Sequence, residues 1–390
     1  MDVLFFYLLA FTSLVVGLGA LMTLIERFPL RWLYYHYFIR KPTNVTILVT
    51  LIIWSFVVSR RQETFPRWSI APIVISCVTT IMAFKLHQEK FFQAADYPEM
   101  TTNLSNLPLT DEMRIAVVEY EGVTKCYPLD YVIHHHVVND KFKTKIVALT
   151  YCAMCRTVIP FDVTDIGPLF VGSFKNANMI LADRKTKTFF QQASFKSIIG
   201  KLHPSELNMV SFQILPWSEV KNLEPTPQVA KVTSKDLGEF QFPTPGLWKR
   251  ILRSEKTPGL SSKSRDQAFP ARTDVIGIID DSYKEAEKSV YLKKEVMSKR
   301  VVVNKERDFF LIGVGNSVNA FKNSIKNAQL KVSFDKDKSE IVDSNTATRW
   351  DILGKYKNGV LNTNLKPIAI SDEYWFSWKK FHKKAKLVRL

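Results

Sequence analysis

Cys152 and Cys155 carry the sharpest chemical signal in the chain, a Cys-Ala-Met-Cys run with two residues between the thiols. At that spacing two sulfurs can close a small disulfide ring or hold one metal ion from a single turn. A structural zinc site needs four ligands, so further donors must come from elsewhere. The natural ones are His134, His135 and His136, about twenty residues upstream. In an extended segment His134 and His136 share one face and His135 takes the other. A site of Cys152, Cys155 and His135, with His134 or His136 as alternates, would suit zinc or copper, since thiolate and imidazole serve both ions. Thiol redox chemistry uses the same pair, and the neighbouring Arg156 favours a thiolate. Thioredoxin-type pairs, however, usually open a helix within a βαβ pattern. Here LTY precedes the pair and TVIPFDV follows it, both strand-like. The structural alternatives are a stapling disulfide or two thiols buried in a β-turn, with the histidines exposed at a strand end.

Other residues add less. Asp140, Asp162 and Asp183 can act as acid–base groups, but Asp140 and Asp183 equally suit turns, where their side chains bond nearby backbone. Trp217, Trp248, Trp350, Trp375 and Trp378 are expected to anchor cores rather than line a pocket. Cys77 lies in an apolar stretch and is expected to be a small buried residue. No Ser-His-Asp order, glycine-rich phosphate loop or nucleotide fingerprint is present.

The elements that must position the pair read as strands. Residues 114–119, 145–151, 157–163 and 169–174 are rich in β-branched and aromatic side chains and bounded by turn residues. A second set follows at 275–279, 300–303, 309–314 and 330–334. Three segment pairs recur in order about 160–165 residues apart: VVND at 137 with VVNK at 302, DRKTKTFF at 183 with DSNTATRW at 343, and PWSEVK at 216 with FSWKKF at 376. The spacing is too long for a solenoid and predicts two related β-rich lobes. At the cysteines the second lobe has Val314-Gly315-Asn316-Ser317, so the chemistry belongs to one lobe.

Several runs resemble a family of mostly prokaryotic exported or membrane-tethered proteins known as domain of unknown function three-one-seven-nine. Tyr127-Pro128-Leu129 is similar to its YPL segment. His135 with Val138-Asn139-Asp140 is similar to its HE-hydrophobic-VND segment, and LTYCAMC at 149–155 to its VTYCPLC. Asp183-Arg184 with Gln191-Gln192 resembles its DR…WQQ, and YWFSW at 374–378 its terminal FWFAW. The likeness spans roughly residues 111–388 and adds Asn139, Asp140, Arg156, Asp183, Gln191 and Gln192 to the candidate site residues. This chain departs from the pattern at His136, where the family has an acidic residue, at Ala153 for Pro, at Arg156 for Gly and at Phe190 for Trp. The resemblance brings no established activity. It implies an extracytoplasmic domain.

Residues 3–24 contain no charge and are long enough to cross a bilayer, and 45–59 and 68–84 are two further candidates. Asp2 before the first run and the lack of a small-residue cleavage site argue against a cleaved leader. Basic residues flanking these runs number six on the side of the soluble region and three on the other, which favours a cytoplasmic domain, against the family's implication. The expected architecture is thus N-terminal transmembrane helices (1–86), a linker (87–110), a first β-rich lobe with the cysteines (111–227), a connecting segment (228–272) and a second lobe (273–390), in an α+β soluble region.

Seven of the 54 basic and three of the 37 acidic residues lie in residues 1–84, leaving the rest with a net charge of +13. That charge suits anionic partners. Two functions fit: a membrane-tethered protein using the Cys-x-x-Cys and His cluster for metal or thiol redox chemistry, or a non-catalytic scaffold holding an anionic envelope polymer or protein partner. The bilayer is an expected partner in both, and nucleic acid in neither.

Overall fold

The computed structural model describes residues 2–234, 236, 250, 251, 253–279 and 288–390. Trp248 lies outside these residues. Three apolar helices open the chain: α1 (Asp2–Gly17), α2 (Leu30–Gln62) and α3 (Ile70–Lys85). The stretches 30–62 and 67–85 are long and apolar enough to cross a membrane, and α1 is a shorter apolar helix. The run 3–24 does not form one helix, because α1 stops at Gly17 and a 3-10 turn, Gly19–Leu24, follows. The aromatic-rich residues 30–41 form the first three turns of α2, which continues through Pro42. Pro72 sits in the first turn of α3, where a missing N–H costs nothing, so it starts the helix rather than kinking it. Cys77 is exposed on α3, not buried.

Between the helices, small polar residues are buried beside a small core of Phe6, Ile47 and Leu51, and many other large apolar side chains face outward. Ser13 Oγ donates to Asn44 Oδ1 at 2.6 Å and lies 2.6 Å from Thr79 Oγ1, all three buried. Phe11, Ile53, Phe56 and Val74 are more than half exposed. Gly17 and Gly19 let backbone and ring approach: a Cβ on Gly19 would come within 2.4 Å of the His36 ring.

The remainder is β-rich. Its first half runs β1 (Arg114–Tyr120), β2 (Val123–Pro128), α4 (Leu129–His135), β3 (Val137–Phe142), β4 (Lys145–Cys152), β5 (Thr157–Asp162), β6 (Leu169–Lys175), β7 (Asn178–Asp183), β8 (Phe189–Gln191), β9 (Phe212–Pro216), α5 (Trp217–Val220) and β10 (Gln228–Ala230). Its second half runs β11 (Asp274–Ile279), β12 (Ser289–Leu292), α6 (Lys293–Lys299), β13 (Val301–Asn304), β14 (Phe309–Val314), β15 (Ser317–Lys322), β16 (Val332–Asp335), β17 (Glu340–Asp343), β18 (Thr348–Trp350), β19 (Ala369–Tyr374), α7 (Trp375–Phe381) and β20 (Lys386–Val388). Richness in β-branched and aromatic residues made eight of these strands legible (β1, β4, β5, β6, β11, β13, β14 and β16), with boundaries within two residues of expectation.

Strand order is the same in both halves. β9-β1-β2-β10 matches β19-β11-β12-β20, with the last strand parallel to its neighbour in each. The meanders β3-β4-β5 and β13-β14-β15 correspond, as do β6-β7-β8 and β16-β17-β18. Small details recur as well. His136 and Arg300 both end a short helix in left-handed conformation, and their carbonyls accept from Tyr151 N at 2.7 Å and Gly313 N at 2.8 Å. Thr186 Oγ1 donates to Asp183 Oδ2 at 2.6 Å, and Thr346 Oγ1 to Asp343 Oδ2 at 2.7 Å.

Two of the hydrophobic cores run between the halves. One packs Trp375, Phe376 and Trp378 of α7 onto Cys152, Cys155, Ile159 and Phe190 of the first half. The other packs Trp217 of α5 onto Phe310, Phe321 and Trp350 of the second. The four described tryptophans named above are at most 5% exposed, as expected of core anchors. The stretch expected as a linker also contributes to the sheets, with Ala95–Asp96 alongside β3 and Met100–Thr101 alongside β10.

Candidate functional site: a buried cysteine pair

β4 ends at Cys152, which lies opposite Thr157 in the ladder, and residues 153–156 turn the chain into β5. Arg156 N donates to Cys152 O at 2.7 Å to close the turn. Arg156 has φ of +60°, a conformation that costs a residue with a side chain about 1 kcal/mol. Its guanidinium offsets this by reaching across to the second half, where Nη2 binds Asp372 Oδ1 and lies 3.1 Å from Asp274 Oδ1. Burial opposes the Arg156 charge, and the Asp372 and Asp274 carboxylates outweigh it, holding its pKa above the ordinary value.

The two sulfurs lie 3.3 Å apart and both residues are at most 2% exposed. The Cys155 S–H donates to Ala177 O at 3.1 Å, and Asn178 Nδ2 donates to Cys155 Sγ at 3.2 Å. The thiols are unequal. Burial works against a Cys152 thiolate, but the Cys155 side chain and the N–H groups of Cys155, Met179 and Met154 point at it and bring its pKa below the ordinary thiol value. Burial pushes Cys155 well above that value, reinforced by Cys152 and by the carboxyl of Glu373.

A closed amide network holds the pair from the first-half side. Gln191 Nε2 donates to Asn178 Oδ1 at 2.6 Å, and Asn178 Nδ2 and Thr157 Oγ1 donate to Gln192 Oε1 at 3.2 and 3.1 Å. Gln192 Nε2 donates to Thr150 Oγ1 at 3.0 Å. Asn178, Gln192, Thr150 and Thr157 are fully buried, so each bond satisfies a group that water cannot reach. From the second half, Tyr374 N donates to Cys155 O at 3.0 Å.

A family profile described as protein of unknown function (DUF3179) matches residues 92–385. The chain belongs to this family. No curated protein and no solved structure matches it. The DUF3179 runs quoted above lie in order within the matched region, and the structure shows where they sit.

Cys152, Cys155, Gln191, Gln192 and Arg156 come together. The remaining candidates lie elsewhere. Asp183 accepts from Thr186 N and Oγ1 and Thr188 N, the turn role weighed from sequence. Asn139 clamps Asp96 and Leu169, donating at 2.8 and 2.9 Å. Asp140 is buried between Lys125 Nζ at 2.8 Å and Tyr127 OH at 2.6 Å. The histidines are not extended: His134 and His135 end α4 and His136 caps it. His135 Nδ1 lies 3.0 Å from Gln93 O, and the His136 ring packs on Phe92 at 4.1 Å. Burial holds the His136 pKa down to about 3, so the ring is neutral. Among the described residues no three His, Cys, Asp or Glu side chains gather as metal ligands, so the expected Cys152, Cys155 and His135 set does not assemble. The helix forms because Leu129, Tyr131 and Val132 bury one face against the sheets, which the paired β-branched runs on either side obscured.

Sequence reading missed Asn178, Glu373, Ser377 and Asp372. Glu373 and Asp372 offered a faint signal as adjacent acids just before the aromatic run at 374–378. Asn178 offered none.

Proposed function

We propose that the protein is a membrane-anchored thiol–disulfide couple, with Cys152 and Cys155 as its chemical centre. The observation that carries this reading is two buried thiols 3.3 Å apart in inequivalent surroundings, which draw the Cys152 pKa down and push that of Cys155 up. A disulfide bond needs about 2.05 Å, so little movement closes the pair. Neither sulfur has surface to admit a second disulfide, which points to a small oxidant of the hydroperoxide class. Cys152 thiolate attacks the peroxide O–O bond and becomes a sulfenic acid, releasing an alcohol or water. Cys155 sulfur then attacks Cys152, the S–S bond forms and the sulfenic oxygen leaves as water. Two thiols and one hydroperoxide give one disulfide, one alcohol and one water.

The helices supply the anchor. Their outward apolar faces and inward polar contacts suit lipid. At 1.5 Å per residue α2 is about 50 Å long, more than a bilayer core of about 30 Å, so its first turns reach the β domain. Tyr34 and Tyr37 there pack on Phe189 and Phe170. We read the bundle as three passes, with the domain extracytoplasmic as in the family's resemblance. The matched strand orders support two copies of one unit, of which only the first carries the cysteines.

Alkylation and intact-mass measurement of the membrane-extracted protein, with and without hydrogen peroxide, test the couple. The expected result is loss of two alkylatable thiols on oxidation, abolished by Cys152→Ser. Thiols that stay alkylatable after unfolding whatever the oxidant would leave the scaffold reading, in which the net +13 domain holds an anionic polymer. Zinc or copper that disappears with Cys152→Ala would establish metal binding instead.

A further inference from the structure

The second half presses one unusual side chain onto the cysteine pair. Glu373 lies on β19, one residue before Tyr374, whose N–H binds Cys155 O. It is 2% exposed. Ser371 Oγ donates to its Oε1 at 2.7 Å, while Oε2 is sealed from solvent and makes no hydrogen bond among the described residues. Ser377, in the first turn of α7, is fully buried; its Oγ makes no well-formed hydrogen bond among the described residues, yet the side chain lies close enough to Cys155 and Glu373 to lower the pKa of each. A buried carboxyl with a free oxygen and no cation on it is expensive to keep. The nearby cations are engaged elsewhere: Arg156 and Lys293 hold Asp372, on the opposite face of β19, and Arg272 donates to the carbonyls of Ser254, Ile251 and Lys256. The charged and titratable groups bearing on this spot are therefore Cys152, Cys155 and Arg272, with Asp372 acting from behind the strand.

We infer that Glu373 is the proton acceptor for Cys155 when the disulfide closes, acting through Ser377 as a positioning residue rather than touching the reacting sulfur. The inference rests on the thiol–disulfide reading above. Cys155 must lose its proton before its electron pair can attack the Cys152 sulfenic acid, and the residue is fully buried. Ser377 Oγ takes the S–H proton while passing its own to Glu373 Oε2. The S–S bond forms, hydroxide leaves Cys152 and collects the proton from Glu373 as water, so the carboxylate is restored. Burial, countered in part by Ser377 and Ser371, raises the Glu373 pKa to about 7, where it can accept and return a proton. The second half thus contributes chemistry to a pair that lies wholly in the first, and a single half would hold an incomplete site.

Two measurements on the full chain test this. Closure by hydrogen peroxide, followed by thiol loss from pH 5 to 9, is expected to show an inflection near pH 7 in the wild type. Glu373→Gln should remove the inflection and slow closure about tenfold, and Glu373→Asp should keep it. An inflection that survives in Glu373→Gln overturns the inference. If the wild-type pair never closes, the thiol–disulfide reading fails by itself. Thiolate absorbance near 240 nm then still decides the role of Glu373. It should rise at lower pH in Glu373→Gln, and an unchanged titration shows that the carboxyl does not act on Cys155.

Discussion

Tyr374 N donates to Cys155 O at 3.0 Å, tying the last long strand of the second half to the cysteine turn of the first. The contact places α7, with Trp375, Phe376 and Trp378, as the lid of the thiol pair. Its counterpart is the contact of Pro216 with Gly315, where the turn that lacks cysteines meets the strand end that leads into α5. Each half closes the other's turn, and only one closure encloses sulfur.

Asp372→Asn should destabilise the protein by about 3 kcal/mol, because it leaves two buried cations short of a partner. Lys293 Nζ lies 2.7 Å from Asp372 Oδ2 with its side chain 4% exposed, and Arg156 binds the other oxygen. Urea unfolding of the purified protein reads the change, and a midpoint within error of wild type would contradict it.

Glu373→Gln should alter stability in a pH-dependent way. The folded carboxyl titrates near 7 and the unfolded one near 4.5, so between these values the native state holds the extra proton. Its contribution is therefore full below about pH 4.5 and is lost as pH rises through 7. The slope is about 1.4 kcal/mol per pH unit at most. The variant should gain relative to wild type on going from pH 4.5 to 7, and parallel stability curves would refute the assignment.

His136 should have the opposite slope. Its ring stays neutral down to about pH 3 when folded, while the unfolded ring takes a proton below about 6.5. Stability from this group is intact above pH 6.5 and falls as pH drops toward 3. His136→Gln should flatten the acid limb of the unfolding curve, measured as the difference from wild type at pH 7 and pH 4.5.

Asn178→Ala should cost about 3 kcal/mol and change the thiols together. It strips donors or acceptors from Cys155, Gln191, Gln192 and the Ala193 N–H in a sealed network. Thermal unfolding gives the first effect. A faster rate of Cys155 alkylation under native conditions gives the second.

Lys175→Met should loosen the helices from the β domain. The residue is 6% exposed, and its ammonium donates to Ile25 O and Phe28 O at 2.9 and 2.7 Å, the carbonyls between α1 and α2. Limited proteolysis in detergent should cut near residues 25–29 in the variant and not in wild type.

The amino-acid sequence determined the local elements. Runs rich in β-branched and aromatic residues gave eight of the strands to within two residues, and apolar runs marked where the N-terminal helices lie though not their bounds, because both signals depend on near neighbours. It also singled out Cys152, Cys155, Gln191 and Gln192 through ordered motifs. Tertiary structure decided what these residues meet. The histidines fell out of the site because α4 forms to bury Leu129 and Val132, a packing gain invisible in a seven-residue window. Glu373, Ser377 and Asp372 entered it from more than two hundred residues away because the halves pack crosswise, each lending its aromatic helix to the other's core. Spacing along the chain reports periodic faces; which face covers the sulfurs depends on how two sheets dock, and only the folded chain fixes that.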